Sequence, residues 1–453
     1  MSHNSIVALA IGGSSTTGAA GVEADLKTFA ALGVHSAVVI TAIASQNTRG
    51  VQKILYLPRE IVSQQMDSVF SDMNVRAVKI GMLGNREITE AVLDGVKKWH
   101  ARNIVLDPVM TAQSDSSWLI EKGSIQAMRE LLEFCTVVTP NSFEAERLTG
   151  VKVRSTSDAK KAAKALRTKG AEAVVIKGVR DGGMISDVTL HKNFRIFRKK
   201  MVGTGTHGGG CCFSSALAAS LAKGLEVEEA FEASEKFIDD AIGNSVRIGK
   251  GLKAVEPMAM LMKDAERCVV ISDVEAALGE VESCMRFSSI IPEVGTNIVY
   301  AIPYARSTED VAGVVGRVRN AMGRPESLGG VRFGASSHLA RAVLKMMEFD
   351  SSKRAAVNVR LTEANLKSCR KLGLKISYYE RGEEPESVKR REGATIPWGV
   401  ESAVKMAKGI PDVVYQRGEV GKEPSLIIFG NNPGEVVKIA LKLIPPALLK
   451  NSP

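Results

Sequence analysis

Six short apolar runs punctuate the first 250 positions: "IVALAI" (6–11), "SAVVITAIA" (36–44), "RAVKIGML" (76–83), "NIVLDPVM" (103–110), "TVVTPN" (136–141) and "AVVIKG" (173–178). Each is continuous and rich in Val and Ile rather than alternating, the pattern of strands buried on both faces of a parallel sheet. Stretches with helical spacing lie between them, and the alternation predicts an α/β fold. Several runs end in Gly, Pro, Asp or Asn, at the carboxyl edge where open α/β sheets bind ligands. The segment "DVTLHKNFRIFRKKMVGTG" (187–205) alternates polar and apolar positions and predicts a hairpin or flap.

The helical pattern continues past 224 and is interrupted at "KGLKAVEPMAMLMKDAERC" (250–268), which holds a proline. The boundary belongs there: a first domain over 1–250, a linker over 251–267 and a second domain over 268–453. The stretch from Cys268 to Cys284 reads as a helix. Strand patterns then fall at 296–305, 330–336, 355–361, 374–381, 412–418 and 425–430. Helical patterns include "STEDVAGVVGRVRNAM", which carries Arg317, and "SHLARAVLKMMEF", which carries His338. A second, smaller α/β domain is expected.

Composition narrows the function. The chain has 453 residues, 45% of them hydrophobic, enough for two or three cored domains. A net charge of +10 suits phosphorylated partners. No block of like charges stands out and aromatic residues make up only 5%, so small phosphates are favoured over nucleic acid. The six cysteines form no CxxC and no zinc-ligand spacing, which reads as free thiols in a reducing compartment. No run reaches the roughly 18 apolar residues of a membrane span. A cytoplasmic protein acting on small molecules is expected.

The most informative stretch is "GTGTHGGGCCFSSALAASLAKG" (203–224). Glycines at 203, 205, 208, 209 and 210 precede a helical pattern, so free backbone N–H groups gather at the positive end of a helix dipole. Gly208, Gly209 and Gly210 form a candidate anion hole beside Cys211. A thiol at a helix N-terminus is expected to have a lowered pKa, and it would take the proton of a substrate hydroxyl. The plain alternative for Cys211 is a small residue that packs the helix start, the role expected of Cys212. His207 is expected to structure the loop. An earlier glycine loop, "GGSSTTGAAGVEADLKTF" (12–29), also opens a helix, but its spacing is not that of a Walker loop.

Seven motifs occur in order: this first loop, "VITAIASQNTRGVQ", "VKIGMLG", "LDPVM", "TPNSFEAERLTG", "VIKG" and "THGGGC". Together they resemble the hydroxymethylpyrimidine and hydroxymethylpyrimidine-phosphate kinases of thiamin synthesis, within the ribokinase-like fold. The resemblance implies ATP, Mg²⁺ and two successive phosphorylations of one substrate. It implies a pyrimidine pocket at Gly13, Asp25, Gln46, Met82 and Val109, with Cys211 and the anion hole as the catalytic group. It implies nucleotide-side roles for Asp107, Thr139, Asn141, Glu144 and Lys177. Gln46 is chemically apt, because an amide offers a donor and an acceptor to an aminopyrimidine edge. Two departures from the family pattern are Ser15, where an Asp is usual, and Ala19, where a Gly is usual.

In the second half, "GASSHLARAVLK" places Ser336 and Ser337 as candidate N-caps and His338 at a helix start, a combination suited to phosphate. Lys422 lies in a glycine-rich loop. The stretches "IPEVGTNIVYAIPYAR", "VVGRVRNAMGRPESLGGVRFGASSHLARAVL", "FDSSKRAAVNVRL", "PWGVE" and "DVVYQRGEVGKEP" resemble the ThiN-type thiamine-phosphate synthase domain. That resemblance implies Arg317 and His338 as essential residues, with Ser336, Ser337 and Lys422 as phosphate contacts. It implies coupling of pyrimidine diphosphate to thiazole phosphate, and self-association into a homo-oligomer. Two other readings stay open at this point: a C-terminal domain that only senses thiamine phosphate, and a kinase for another ring alcohol such as pyridoxal.

Overall fold

The structure, a computed structural model, describes residues 5–112, 114–121, 123–181, 183–200, 206–407, 409–419 and 423–444. The chain divides into two compact units, one ending at Met260 and one beginning at Leu261.

The first unit is built on nine strands: β1 (Val7–Ser15), β2 (His35–Asn47), β3 (Gly50–Tyr56), β4 (Val75–Ile80), β5 (Ile104–Leu106), β6 (Val137–Val138), β7 (Ala173–Asp181), β8 (Met184–Leu190) and β9 (Phe194–Lys200). They form one sheet in the order β3-β2-β1-β4-β5-β6-β7-β8-β9. The six apolar runs became the six central strands, and all five pairings among them are parallel. The alternating segment formed the β8–β9 hairpin. β3 had no matching apolar run; it pairs antiparallel with β2 at the sheet edge.

Period-two packing explains why the sheet supports a site. On β1, Leu9 and Ile11 join the core on one face, while Ala8 and Ala10 join the core on the other. Ala77 and Ala173 extend that small-residue face, against which the helix Gly209–Ala222 packs. Small side chains let a helix approach a sheet closely, and this one is buried at every position from Cys212 to Ala222. The strand order reverses between β1 and β4, so the carboxyl ends of these two strands form a switch-point crevice.

The second unit has β10 (Ile298–Ala301), β11 (Val311–Val314), β12 (Val318–Ala321), β13 (Arg324–Ser327), β14 (Val331–Phe333), β15 (Ala355–Arg360), β16 (Ile376–Tyr378), β17 (Val413–Gln416) and β18 (Ser425–Gly430). Seven of them form a sheet in the order β14-β11-β10-β15-β18-β17-β16, and β12 and β13 make a separate hairpin. Only β16–β17 is parallel among the pairings of the larger sheet. Cores lie on both faces, one under the helix Ala259–Ser283 and the other under the helices Ser337–Met347 and Thr395–Met406.

Two expectations need correction here. The helix expected over 307–322, with Arg317 on its surface, is instead β11, a turn and β12. Val311, Val314 and Val318 favour strands, and Gly316 and Arg317 have φ of 73° and 66°, which a right-handed helix does not accept. The interruption at 250–268 is only partial: a helix starts at Ala259, two residues after Pro257, and runs unbroken through Cys268 to Ser283. Among the described residues, no helix is long and apolar enough to cross a membrane.

Candidate active sites

Gly208 caps the helix Gly209–Ala222 in the left-handed region (φ 93°), and any β-carbon there would collide with the carbonyl oxygen of Ala19. This glycine therefore presses the two glycine-rich loops together. A β-carbon on Gly210 would lie 3.4 Å from Lys177 Nζ and 3.9 Å from Asp107 Oδ2, so the first helical turn stands beside a charged pair. Gly203, Gly205 and Lys422 lie outside the described residues.

That pair is short and nearly dry. Lys177 Nζ is 2.8 Å from Asp107 Oδ1. Ser214 donates to the other carboxylate oxygen at 3.2 Å, and Thr139 donates to the first at 3.4 Å. Burial works against the Asp107 charge, but Lys177 and Lys79 outweigh it and hold the carboxyl below its usual range. Asn141 and Glu144 form a capping box on the helix Ser142–Thr149, each accepting from the other's backbone N–H at 2.9 Å. Burial, reinforced by the Asp107 charge, pushes the Glu144 carboxyl up to about 7.

Beneath Cys211 lies a second ion pair that the sequence reading missed. Lys79 Nζ is 2.8 Å from Asp25 Oδ2, and Ser215 donates to Asp25 Oδ1 at 2.7 Å. Asp25 is 0% exposed and Lys79 1%, and the pair ties the helix Gly21–Ala31 to β4 and, through Ser215, to the cysteine-bearing helix. Burial disfavours the Lys79 charge, yet the Asp25 carboxylate beside it keeps the amine protonated. Lys79 sits within an otherwise apolar run, where a lone charge at a strand's end is easily read as surface.

The thiol expectation is overturned. Burial pushes the Cys211 thiol up to about 11; Lys79 opposes this, while Asp25 and Asp107 add to it. A hydrogen bond from the Gly21 N–H does not compensate, so Cys211 rests as a neutral thiol. Cys212 is fully buried filler, as expected.

The remaining residues of the expected pyrimidine pocket divide into an apolar and a polar group. Met82 clusters with Ala42, Ala112 and Leu119, and Val109 packs against them. A β-carbon on Gly13 would lie 3.1 Å from Met82 Sδ, so glycine leaves room over that thioether. Gln46 is half-buried; Ser15 donates to its Oε1 at 2.9 Å, and its Nε2 lies 3.3 Å from Ser114 Oγ and 3.4 Å from His207 Nε2. It borders a cleft of about 460 Å³ whose walls include Thr16, Lys27, Thr48 and Glu256. His207 does structure the loop, pairing with residues 253–255 through its backbone, and its ring also reaches Gln46.

In the second unit, Arg317 occupies the β11–β12 turn and donates to the carbonyl of Val294 at 2.7 Å. That carbonyl belongs to a pinned loop: Glu423 accepts from the N–H groups of Glu293 and Val294, and Asn358 donates to Gly295. A depression of about 510 Å³ is lined by Glu293, Val294, Gly316, Arg317, Arg319 and Ala335. Val318 is buried, and Arg317 and Arg319 on either side of it both line the depression. Arg319 was not singled out in the sequence because its segment was read as a helix. Ala335 leads into the helix Ser337–Met347, on which His338 is exposed with Nδ1 3.4 Å from Ser337 Oγ. Ser336 occupies the N-cap position, but its side chain makes no capping hydrogen bond.

Residues 15–256 match the phosphomethylpyrimidine kinase family. The chain belongs to that family. Residues 273–442 match the thiamine-phosphate synthase ThiN, so the chain joins a kinase domain to a synthase domain. The bifunctional thiamine biosynthesis protein ThiDN of Methanocaldococcus jannaschii is 29% identical over 434 residues, covering 96% of this chain and 97% of the relative. The hydroxymethylpyrimidine/phosphomethylpyrimidine kinase of Rhizobium meliloti is 41% identical over 264 residues, 57% of this chain and 99% of the relative. Among solved structures, the ADP complex of Bacillus subtilis pyridoxal kinase matches with a TM-score of 0.53 at 33% identity, over 56% of this chain and 98% of that one. The Staphylococcus aureus pyridoxal kinase with AMP-PCP and pyridoxal matches at 0.52 and 34%, over 56% and 94%. The first unit thus has the ribokinase-like fold and is an ATP-using kinase. The whole is a two-activity enzyme of thiamine biosynthesis.

Proposed function

We propose that the first unit transfers the γ-phosphoryl group of ATP to hydroxymethylpyrimidine and then to its phosphate, and that the second couples the resulting diphosphate to thiazole phosphate. In the first reaction the ring lies against Met82 and Val109, with its polar edge toward Gln46. The N–H groups at the start of the helix Gly209–Ala222 and the Lys177 ammonium stabilise charge on the moving phosphoryl group. The substrate oxygen forms the new P–O bond as the bond to ADP breaks, and its proton passes to the small fraction of Cys211 present as thiolate, which ends as the neutral thiol. Because Cys211 rests neutral, most of the acceleration comes from positioning and electrostatics.

Asp107 and Glu144 supply carboxylate oxygens, the hard donors that Mg²⁺ takes. These two residues would hold the ion with the nucleotide phosphates, where it supplies charge neutralisation. Thr139 and Asn141 border the nucleotide side.

In the second reaction the C–O bond to diphosphate breaks, and the thiazole nitrogen bonds to the methylene carbon left behind. The substrates together bring three phosphoryl groups. Arg317 and Arg319 offer two forked cations for them, and Ser336, Ser337 and the helix start offer further donors. His338 donates to the departing diphosphate. The six free thiols support a cytoplasmic location for the enzyme, and homo-oligomerisation and small-molecule partners without nucleic acid complete the reading.

The observation that carries this reading is the Gly208–Cys211 turn standing beside Lys177 and Asp107. The test is an end-to-end assay with hydroxymethylpyrimidine, ATP, Mg²⁺ and thiazole phosphate, with products read by mass spectrometry. Cys211→Ala lowers phosphorylation by about 10²–10⁴-fold and spares the coupling of supplied diphosphate; His338→Ala does the reverse. A folded variant of either kind that loses both activities would overturn the division of labour. Because the matched structures include pyridoxal kinases, pyridoxal serves as the competing alcohol, and a preference for it would replace the pyrimidine reading.

A further inference from the structure

Ser15 stands where the resemblance to the kinase family implies an acidic residue, and His207 was expected to do no more than shape a loop. Both converge on one amide. The Ser15 hydroxyl has a single proton, and the 2.9 Å contact with Gln46 Oε1 takes it. Ser15 Oγ must then accept in its other contact, from Thr17 Oγ1 at 2.9 Å. Thr17 Oγ1 in turn accepts from the Ala19 N–H at 3.2 Å. Since a backbone N–H only donates, the chain Ala19, Thr17, Ser15, Gln46 runs in one direction and ends on the amide oxygen.

His207 acts on the opposite end. Its Nε2 is 3.4 Å from Gln46 Nε2, which can only donate, so the imidazole must present a bare Nε2 there. The ring is 3% exposed, and burial lowers its pKa, which keeps it neutral and able to accept. Its backbone N–H bonds to the Lys253 carbonyl at 2.8 Å, and its own carbonyl accepts from Val255 at 3.0 Å. The ring nitrogen that then carries the proton, Nδ1, is buried and has no hydrogen-bond partner among the described residues. Packing alone gives no reason to leave that N–H unpaired; holding the amide does.

We propose that Ser15 and His207 are positioning residues that fix which end of the Gln46 amide accepts and which donates, and thereby select an aminopyrimidine over other ring alcohols. The inference rests on the reading of Gln46 as the contact to the ring edge. An aminopyrimidine sets an amino donor beside a ring-nitrogen acceptor, and a fixed amide matches that order in one orientation only, its second Nε2 proton passing from Ser114 Oγ to the ring nitrogen. A pyridoxal-type ring has no amino group beside its nitrogen and gains nothing from the fixed order. Ser15 thus supplies a direction where a carboxylate would supply only acceptors.

The test uses the full chain with ATP and Mg²⁺, measuring kcat and KM for hydroxymethylpyrimidine and for pyridoxal. Ser15→Ala and His207→Leu should each raise KM for hydroxymethylpyrimidine about tenfold, leave kcat within about threefold, and lower the preference over pyridoxal by about tenfold. His207→Gln should restore KM, because its amide oxygen can accept from Gln46. Gln46→Leu should raise KM as well, and adding His207→Leu to it should change nothing further. If Gln46→Leu raises KM while Ser15→Ala and His207→Leu leave both KM and the preference unchanged, the inference fails and the reading of Gln46 stands. If Gln46→Leu leaves KM unchanged, both fail. Should His207→Leu not fold, Ser15→Ala decides alone.

Discussion

The kinase unit encloses its charges, whereas the synthase unit displays them. Asp25, Lys79, Asp107 and Glu144 are all buried and already paired or hydrogen-bonded. In the second unit Arg317 is half-buried, and Arg319 and His338 are exposed. The difference follows the chemistry. Phosphoryl transfer to an alcohol competes with transfer to water, so the first site must be dry, and fixed dipoles and charges act most strongly there. The second reaction releases a highly charged diphosphate, which an open, basic surface lets go into solvent.

The sharpest way to break this comparison is to unpair the buried charge. Lys79→Met strands Asp25 and should cost about 3–5 kcal/mol of stability, seen as a large drop in thermal midpoint of the first unit. Asp25→Asn combined with Lys79→Met should regain much of that loss. Removing an exposed cation should do far less: Arg319→Ala should leave the thermal midpoint unchanged and slow coupling by about tenfold, the scale of one lost charged hydrogen bond.

Thiol chemistry sharpens the contrast further. With its pKa raised from the ordinary value to about 11, Cys211 has little thiolate at neutral pH. Its alkylation by iodoacetamide, followed residue by residue in a mass spectrometer, should rise about tenfold per pH unit between about pH 7 and 9. A plateau in that range would show a thiolate and reverse the correction made above. The smallest effect concerns salt. At about 1 M ionic strength, where screening reaches only about 3 Å, coupling should lose affinity for its phosphorylated substrates more than phosphorylation does.

Much of the first unit was legible because its strands are continuous Val- and Ile-rich runs and its anion loop is written in glycine. The turn at Gly208 follows from that pattern; Asp107 and Lys177 were named through the family resemblance as nucleotide-side residues, and their ion pair was not foreseen. Lys79 and His207 were not legible as site residues, since their effects come from partners 54 and 161 positions away. Nor was the raised Cys211 pKa, because a helix terminus can be read from sequence while the burial of the thiol, and the carboxylates of Asp25 and Asp107 near it, cannot. The second unit was harder. Its Val- and Gly-containing segment around Arg317 fits helical spacing as well as a strand–turn–strand, and only the left-handed backbone at 316–317 distinguishes them.

His207 is held by residues 253–255, and Gly251 and Leu252 bond to Thr48 at the β2–β3 turn. The last dozen residues of the kinase therefore wall its pocket. During synthesis, which proceeds from the N-terminus, the sheet can assemble early, but the first pocket stays unfinished until the peptide leading into the synthase has left the ribosome. A chain arrested or cleaved before residue 250 would contain Cys211, Asp107, Lys177 and Gln46 and still lack the brace that holds them.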